Sequence, residues 1–90
     1  MPEAIQVRVR GRVQAVGYRE FCRRVAKSLD VTGWARNESD GTVLVYAEGA
    51  GEALDRFRER LREGPRLARV DGLDVATVEP EGAVGFEIGC

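Results

Sequence analysis

The chain has 90 residues, of which 43% are hydrophobic and 32% are charged. This length predicts a single domain, residues 1–90, and the apolar content is too high for a disordered chain. The formal net charge of −1 argues against a generally basic nucleic-acid-binding protein.

The first predicted element is a strand at residues 5–13. Its apolar positions, Ile5, Val7, Val9 and Val13, alternate with polar residues. A period of two over this length is typical of a strand with one buried and one exposed face.

An amphipathic helix is predicted next, at residues 18–29. Its apolar residues recur at spacings of three and four, so they share one face. They are Tyr18, Phe21, Cys22, Val25 and Leu29.

The start of this helix carries Arg19. A helix N-terminus presents unpaired backbone N–H groups and the positive end of the helix dipole. Adding a guanidinium at this point predicts a pocket for a doubly charged oxyanion such as a phosphoryl group.

The middle of the chain predicts a hairpin. Two segments rich in strand-forming residues, 31–38 and 42–48, flank Asp40 and Gly41. Asp-Gly between two such segments is a strong hairpin signal.

The last third of the chain predicts a helix and two strands. A second apolar stripe indicates a helix at residues 50–61 that ends before Gly64. Residues 70–78 predict a strand with Gly72 as a candidate bulge, and residues 86–88 a short closing strand. The order βαββαβ predicts an α+β, ferredoxin-like sandwich, with an antiparallel sheet and two helices on one face.

Several kinds of catalytic chemistry are missing from the sequence. The chain has no histidine, which excludes Ser-His and Cys-His nucleophile pairs and most zinc sites. It also lacks a glycine-rich phosphate loop ending in Lys-Ser or Lys-Thr. An enzyme built on this sequence is therefore expected to use no metal and no cofactor, and to act on a substrate with a good leaving group. Acyl phosphates meet that description, because the departing carboxylate is stable without protonation.

Two stretches carry a resemblance to a known family. Residues 11–19 read Gly-Arg-Val-Gln-Ala-Val-Gly-Tyr-Arg, and residues 33–41 read Gly-Trp-Ala-Arg-Asn-Glu-Ser-Asp-Gly. In order and separation they resemble the two signatures of the acylphosphatases. The family usually has glycine where this chain has Ala15 and commonly phenylalanine where it has Tyr18. Alanine restricts the backbone if the loop needs a positive φ.

The resemblance implies an activity and a role for each matching residue. The implied reaction is hydrolysis of a small acyl phosphate to a carboxylate and inorganic phosphate. Arg19 would bind the phosphoryl oxygens and Asn37 would hold the attacking water. The remaining phosphate contacts would come from the backbone N–H groups of Ala15, Val16, Gly17, Tyr18 and Arg19.

Two alternatives stay open at this point. Acylphosphatase-like domains also occur inside larger maturation enzymes, so the chain could be a non-enzymatic module of the same fold that binds phosphate or carbamoyl phosphate, or an interaction module. Binding of phosphate without hydrolysis would favour that module. An RNA-binding sheet is disfavoured, because the open face of the first strand carries Arg8 and Arg10 and no aromatic residue.

The remaining expectations concern location and partners. Cys22 and Cys90 do not make a disulfide framework, and Cys22 is expected in the core. The N-terminus has no apolar signal region and no run of eighteen apolar residues occurs. We therefore expect a cytoplasmic monomer whose partners are an acyl phosphate and inorganic phosphate, with no nucleic acid and no membrane.

Overall fold

The computed structural model describes residues 2–89. The prediction that Cys22 and Cys90 make no disulfide framework therefore involves a residue, Cys90, that lies outside the described residues. Two helices and five strands follow one another in the predicted order. They are β1 (Glu3–Arg12), α1 (Tyr18–Ser28), β2 (Thr32–Asn37), β3 (Val43–Gly49), α2 (Gly51–Glu63), β4 (Arg69–Val78) and β5 (Phe86–Ile88). Within residues 2–89, no helix combines the length and the apolar character needed to cross a bilayer.

The strands form one sheet in the order β4-β1-β3-β2-β5. The four longer strands are antiparallel, as predicted. The short β5 instead pairs parallel to β2, with Phe86 opposite Gly33, so the whole sheet is mixed. This difference arises because residues 79–85 reverse the chain after β4 and carry it to the opposite edge, where β5 runs in the direction of β2.

The hydrophobic core lies between one face of the sheet and the two helices. Alternate residues of the central strands, such as Val7 and Val45, have no exposed surface, and Phe57 and Leu61 of α2 pack against them. Cys22 of α1 is fully buried in the same core, as expected. Burying each large apolar side chain contributes roughly 1.5–3 kcal/mol, which fixes both helices on this face.

Two local predictions are confirmed, the β-bulge at Gly72 and the end of the second helix before Gly64. Arg10 pairs with Gly72 and Gly11 pairs with Val70, so Asp71 is the extra residue of a β-bulge beside Gly72. Helix α2 ends at Glu63, and its C-cap Gly64 has a φ of 71°. The bulge lies where β1 leads into the loop before α1.

The connection formed by residues 79–85, here called the strap, is fastened to the exposed face of the sheet by Glu48. The carboxylate of Glu48 accepts hydrogen bonds from the Tyr46 hydroxyl (2.6 Å) and from the backbone N–H groups of Glu81, Gly82 and Ala83 (3.0–3.2 Å). Glu48 is only 7% exposed as a result. These donors, the Tyr46 hydroxyl first, lower the pKa of Glu48.

The exposed face of the sheet also carries an aromatic pair on strands other than β1. Trp34 stacks on Tyr46 with ring centroids 5.9 Å apart, and the Arg36 guanidinium lies 4.8 Å from the Trp34 ring centroid. Tyr46 is only 1% exposed. Tyr46 is therefore closed to a base and the Trp34 ring already has stacking partners, whereas stacking platforms for single-stranded RNA present open aromatic rings to two or three bases.

Candidate active site

The loop between β1 and α1, residues 13–17, has an unusual backbone. Ala15 (φ 61°) and Gly17 (φ 79°) are both in the left-handed region, whereas Val16 between them is not. Alternation of this kind turns successive N–H groups toward one concave side, which is a common way to bind an anion.

The N–H groups of this loop have no internal partner. Gly17 is the N-cap of α1 and no side chain caps the helix. The first helical bond runs from the Phe21 N–H to the Gly17 carbonyl (3.0 Å). Among residues 2–89, no group accepts a hydrogen bond from the N–H groups of residues 15–20. These donors and the helix dipole therefore face the open side of the loop.

The backbone restriction predicted for Ala15 is present, because its φ is positive. A residue with a Cβ at φ 61° is strained by about 1–2 kcal/mol relative to its usual backbone conformations. The side chain of Val16 packs against the core and holds the loop down. Strain of this kind persists where the surrounding structure fixes it, and such positions cluster at functional sites.

A cavity of about 160 Å³ lies over this loop. It brings together Arg19, Asn37 and most of the residues predicted to bind phosphate; Val16 is not part of its lining. The lining residues are Val13, Ala15, Gly17, Tyr18, Arg19, Glu20, Asn37 and Ile88.

Arg19 is the cationic group of the pocket. Its Nη1 donates a hydrogen bond to the carbonyl oxygen of Gly89. Within the described part of the chain, no carboxylate forms an ion pair with Arg19, unlike Arg23, which pairs with Glu20. A guanidinium has five N–H donors, so most of them remain for a ligand.

Asn37 reaches the pocket from the last position of β2. Asn37 lies two residues after Ala35, and side chains two residues apart in a strand point to the same face. Because Ala35 is fully buried under the helices, the Asn37 side chain also lies on the helix side of the sheet. The Oδ1 atom of Asn37 is buried and has no hydrogen-bond partner among residues 2–89. Because buried polar atoms are nearly always paired, this atom indicates a place for a polar ligand or water.

Gln14 ties the loop to the hairpin that follows Asn37. Its Nε2 donates to the carbonyl oxygens of Glu38 (2.8 Å) and Thr42 (2.9 Å). The hairpin is stiffened further by Asp40, whose carboxylate accepts from the Thr42 hydroxyl (2.6 Å), and this bond lowers the pKa of Asp40. The two sides of the pocket are thus fixed to each other.

Two nearby residues have structural roles. The Tyr18 hydroxyl donates to the Leu61 carbonyl (2.7 Å) inside the core, and burial raises its pKa. Burial likewise raises the pKa of the Cys22 thiol, so it stays protonated and is no nucleophile. The side chain of Tyr18 therefore belongs to the core.

Sequence reasoning missed four residues that touch the pocket or its arginine, and one of them is Val13, which was predicted only as an apolar position of the first strand. Ile88 and Gly89 reach the pocket because β5 pairs parallel to β2. A strand of only three residues is too short for its apolar pattern to predict this pairing. Glu20 lines the pocket while its carboxylate accepts from Arg23 (2.7 Å), and this hydrogen bond lowers the pKa of Glu20. Its position next to Arg19 in the first helical turn was the available signal.

Comparisons with known proteins show the family of the chain. A family model described as Acylphosphatase matches residues 5–88. An acylphosphatase of Salinibacter ruber is 56% identical over 71 residues, which is 79% of this chain and 75% of that protein. An acylphosphatase of Thermus thermophilus is 47% identical over 88 residues, covering 98% of this chain and 99% of that protein. The crystal structure of an acylphosphatase from Bacillus subtilis superposes with a TM-score of 0.95 at 34% identity and covers 100% of both chains.

Proposed function

This chain belongs to the acylphosphatase family and hydrolyses acyl phosphates, and we propose that the pocket at the start of α1 is its active site. One observation carries the proposal. Within residues 2–89, the same small cavity is lined by uncapped loop N–H groups, by an arginine that forms no ion pair with a carboxylate, and by an asparagine whose buried Oδ1 has no hydrogen-bond partner.

The phosphoryl group of the substrate binds to the loop. Its oxygens accept hydrogen bonds from the backbone N–H groups of Ala15, Val16, Gly17, Tyr18 and Arg19 and from the Arg19 guanidinium. These donors are fixed before the substrate arrives, so they stabilise the charge that develops in the transition state without reorganising. The Arg19–Gly89 hydrogen bond orients the guanidinium for this contact.

Asn37 holds the attacking water through its side-chain amide. The water oxygen forms a bond to phosphorus while the bond from phosphorus to the acyl oxygen breaks. The electron pair leaves with the carboxylate, and a phosphoryl oxygen accepts the proton of the water. No general base is needed, because positioning and charge stabilisation suffice for a leaving group this good.

The products are a carboxylate and inorganic phosphate, and we propose that the reaction requires no metal and no cofactor. We also propose that residues 1–90 form one domain that acts as a cytoplasmic monomer. A purely phosphate-binding module is not favoured, because the chain spans nearly the full length of a curated acylphosphatase.

The direct test is hydrolysis of a simple acyl phosphate in the presence of EDTA, with inorganic phosphate as competitor. We expect turnover that survives chelation and is competitively inhibited by phosphate. Dependence of turnover on added magnesium, or binding of phosphate without any hydrolysis, would contradict the proposal.

Two substitutions test the assigned roles. Arg19→Ala and Asn37→Ala each remove one preorganised group, and we expect kcat to fall about 100- to 1,000-fold. Arg24→Ala on the same helix and Ser39→Ala in the hairpin are matched controls, since neither residue lines the pocket. Parental turnover by a folded Arg19 or Asn37 variant would remove that residue from the mechanism.

A further inference from the structure

The pocket has one apolar wall that is not occupied by the core. Of its other apolar lining residues, Val13 and Tyr18 are each 1% exposed, so packing uses nearly all of their surface, and the exposed Ala15 offers only a methyl group. Ile88 also lines the pocket and is 39% exposed. Its side chain therefore has apolar surface free for a ligand.

Ile88 is held in this position by contacts of the residues before and after it in sequence. It lies opposite Ala35 in the parallel pairing with β2, and the next N–H, of Gly89, donates to the Ala35 carbonyl (2.8 Å). Two residues earlier, Phe86 is 8% exposed and packs edge-on against Phe57 with ring centroids 6.1 Å apart. Because alternate side chains of a strand share a face, Ile88 points to the helix side of the sheet, as Phe86 does.

The same strand end touches the group that binds phosphate. The Gly89 carbonyl accepts a hydrogen bond from Arg19, so Ile88 is adjacent in sequence to the residue that holds the guanidinium. A phosphoryl group bound by Arg19 and the loop N–H groups leaves its acyl substituent to extend toward the mouth of the pocket. Glu20 also lines the pocket, and its carboxylate is paired with Arg23.

We propose that Ile88 is a specificity-determining residue that packs against the acyl group of the substrate. The enzyme accordingly prefers acyl phosphates with an uncharged, apolar chain or ring over acetyl phosphate. The inference rests on the proposed function, since it needs the phosphoryl group in the loop. Its physical basis is the removal of apolar surface of both partners from water.

The test compares kcat/KM for acetyl, butyryl and benzoyl phosphate in the parent, Ile88→Ala and Ile88→Thr. We expect the preference for benzoyl over acetyl phosphate to fall roughly five-fold in both variants. The reason is that each variant removes apolar side-chain surface that the benzoyl group would bury, and the partly exposed Ile88 side chain contributes less than the full burial of one or two methylene groups. The inhibition constant of inorganic phosphate, which has no acyl group, is expected to stay unchanged. Val84→Ala is the matched control, because Val84 is 89% exposed and does not line the pocket.

The outcomes separate this inference from the proposed function. A parent that hydrolyses none of the three substrates overturns the proposed function, and this inference with it. Turnover with an unchanged benzoyl-to-acetyl preference in both variants overturns the role of Ile88 alone. A weaker phosphate inhibition, with equal losses for all three substrates, also overturns it, since Ile88 would then only support the fold of the pocket.

Discussion

Ala15 is the residue at which local backbone preference and the demands of the site disagree. Its φ of 61° belongs to a region that glycine enters freely and alanine does not. The left-handed conformation is nevertheless what turns the loop N–H groups to one side. The chain therefore retains a strained residue in the middle of the loop that we propose binds phosphate.

Replacing this residue measures the strain. Ala15→Gly removes the left-handed penalty, but glycine also gains freedom in the unfolded chain, so we expect a net rise of up to about 1 kcal/mol in the free energy of unfolding. Turnover should stay within a few-fold of the parent, because the N–H group remains. Urea denaturation and acyl phosphate hydrolysis check the two expectations.

Ala53→Gly is the contrasting substitution. Ala53 lies inside α2, where glycine destabilises by about 1 kcal/mol relative to alanine. If Ala15→Gly lowered the unfolding free energy as much as Ala53→Gly does, the φ of Ala15 would not be a source of strain.

The residues of the site differ in how far the sequence could reveal them. Arg19 and Asn37 are carried by contiguous motifs, and the structure brings both to one cavity. Ile88 and Gly89 could not be predicted in the same way. They reach the pocket only because Phe86 pairs with Gly33, a contact between distant parts of the chain that no local pattern records.

Among the elements, the connection between the β1–α1 loop and the β2–β3 hairpin joins the two halves of the site. The Gln14 side chain makes this connection, because its Nε2 donates to the carbonyl oxygens of both Glu38 and Thr42. The loop carries the proposed phosphate donors, and the hairpin begins just after Asn37, the proposed ligand of the water. In that mechanism, a shift of one element against the other would displace the water from the phosphorus.

We therefore expect Gln14→Ala and Gln14→Glu to lower kcat about ten-fold or more, since displacements of about 1 Å can cost as much as 100-fold. Glutamate matches the size of glutamine but cannot donate when ionised. The matched control is Gln6→Ala, because Gln6 lies on β1 outside the active-site pocket. Steady-state kinetics with both variants check the expectation, and a parental kcat in a folded Gln14 variant would contradict it.

The elements themselves were largely predictable. Apolar side chains at a period of two or at spacings of three and four mark four strands and both helices, and these elements bury those side chains in the core. Glu48 was the exception within β3, since a charged residue at an outward position reads as solvent-exposed. It is buried because the strap crosses over it, which depends on a distant segment of the chain.

For the whole molecule, the strap is what carries the chain from one edge of the sheet to the other. Its central N–H groups all converge on the Glu48 carboxylate. The ionised form of Glu48 is the form that accepts these bonds and the bond from Tyr46. The attachment of the strap therefore depends on the ionisation of one carboxyl group.

This dependence predicts how stability changes with pH. The pKa of Glu48 is lowered in the folded protein, so its stabilising contribution is complete above the unfolded value of about 4.3 and is lost as the pH falls through the folded value. Glu48→Gln should lower stability at neutral pH and make the loss below about pH 4.3 less steep. Urea denaturation between about pH 3 and 7 measures both effects.

Glu87→Gln is the control, because Glu87 is an exposed carboxylate on β5. It should leave the shape of the stability curve nearly unchanged. Parallel acid limbs for the parent and Glu48→Gln would show that the strap is held by other contacts.

The position of β1 between β3 and β4 also governs how the chain reaches its native state. β1 is the first strand to be made, yet it pairs Val7 with Val45 on one side and with Val75 on the other. Neither partner is a neighbour in sequence, so long stretches of backbone must be closed into loops before the central hydrogen bonds form. Such remote pairings slow the acquisition of structure to the order of milliseconds to seconds, and during that interval the unpaired edges of β1 are open to association with another copy.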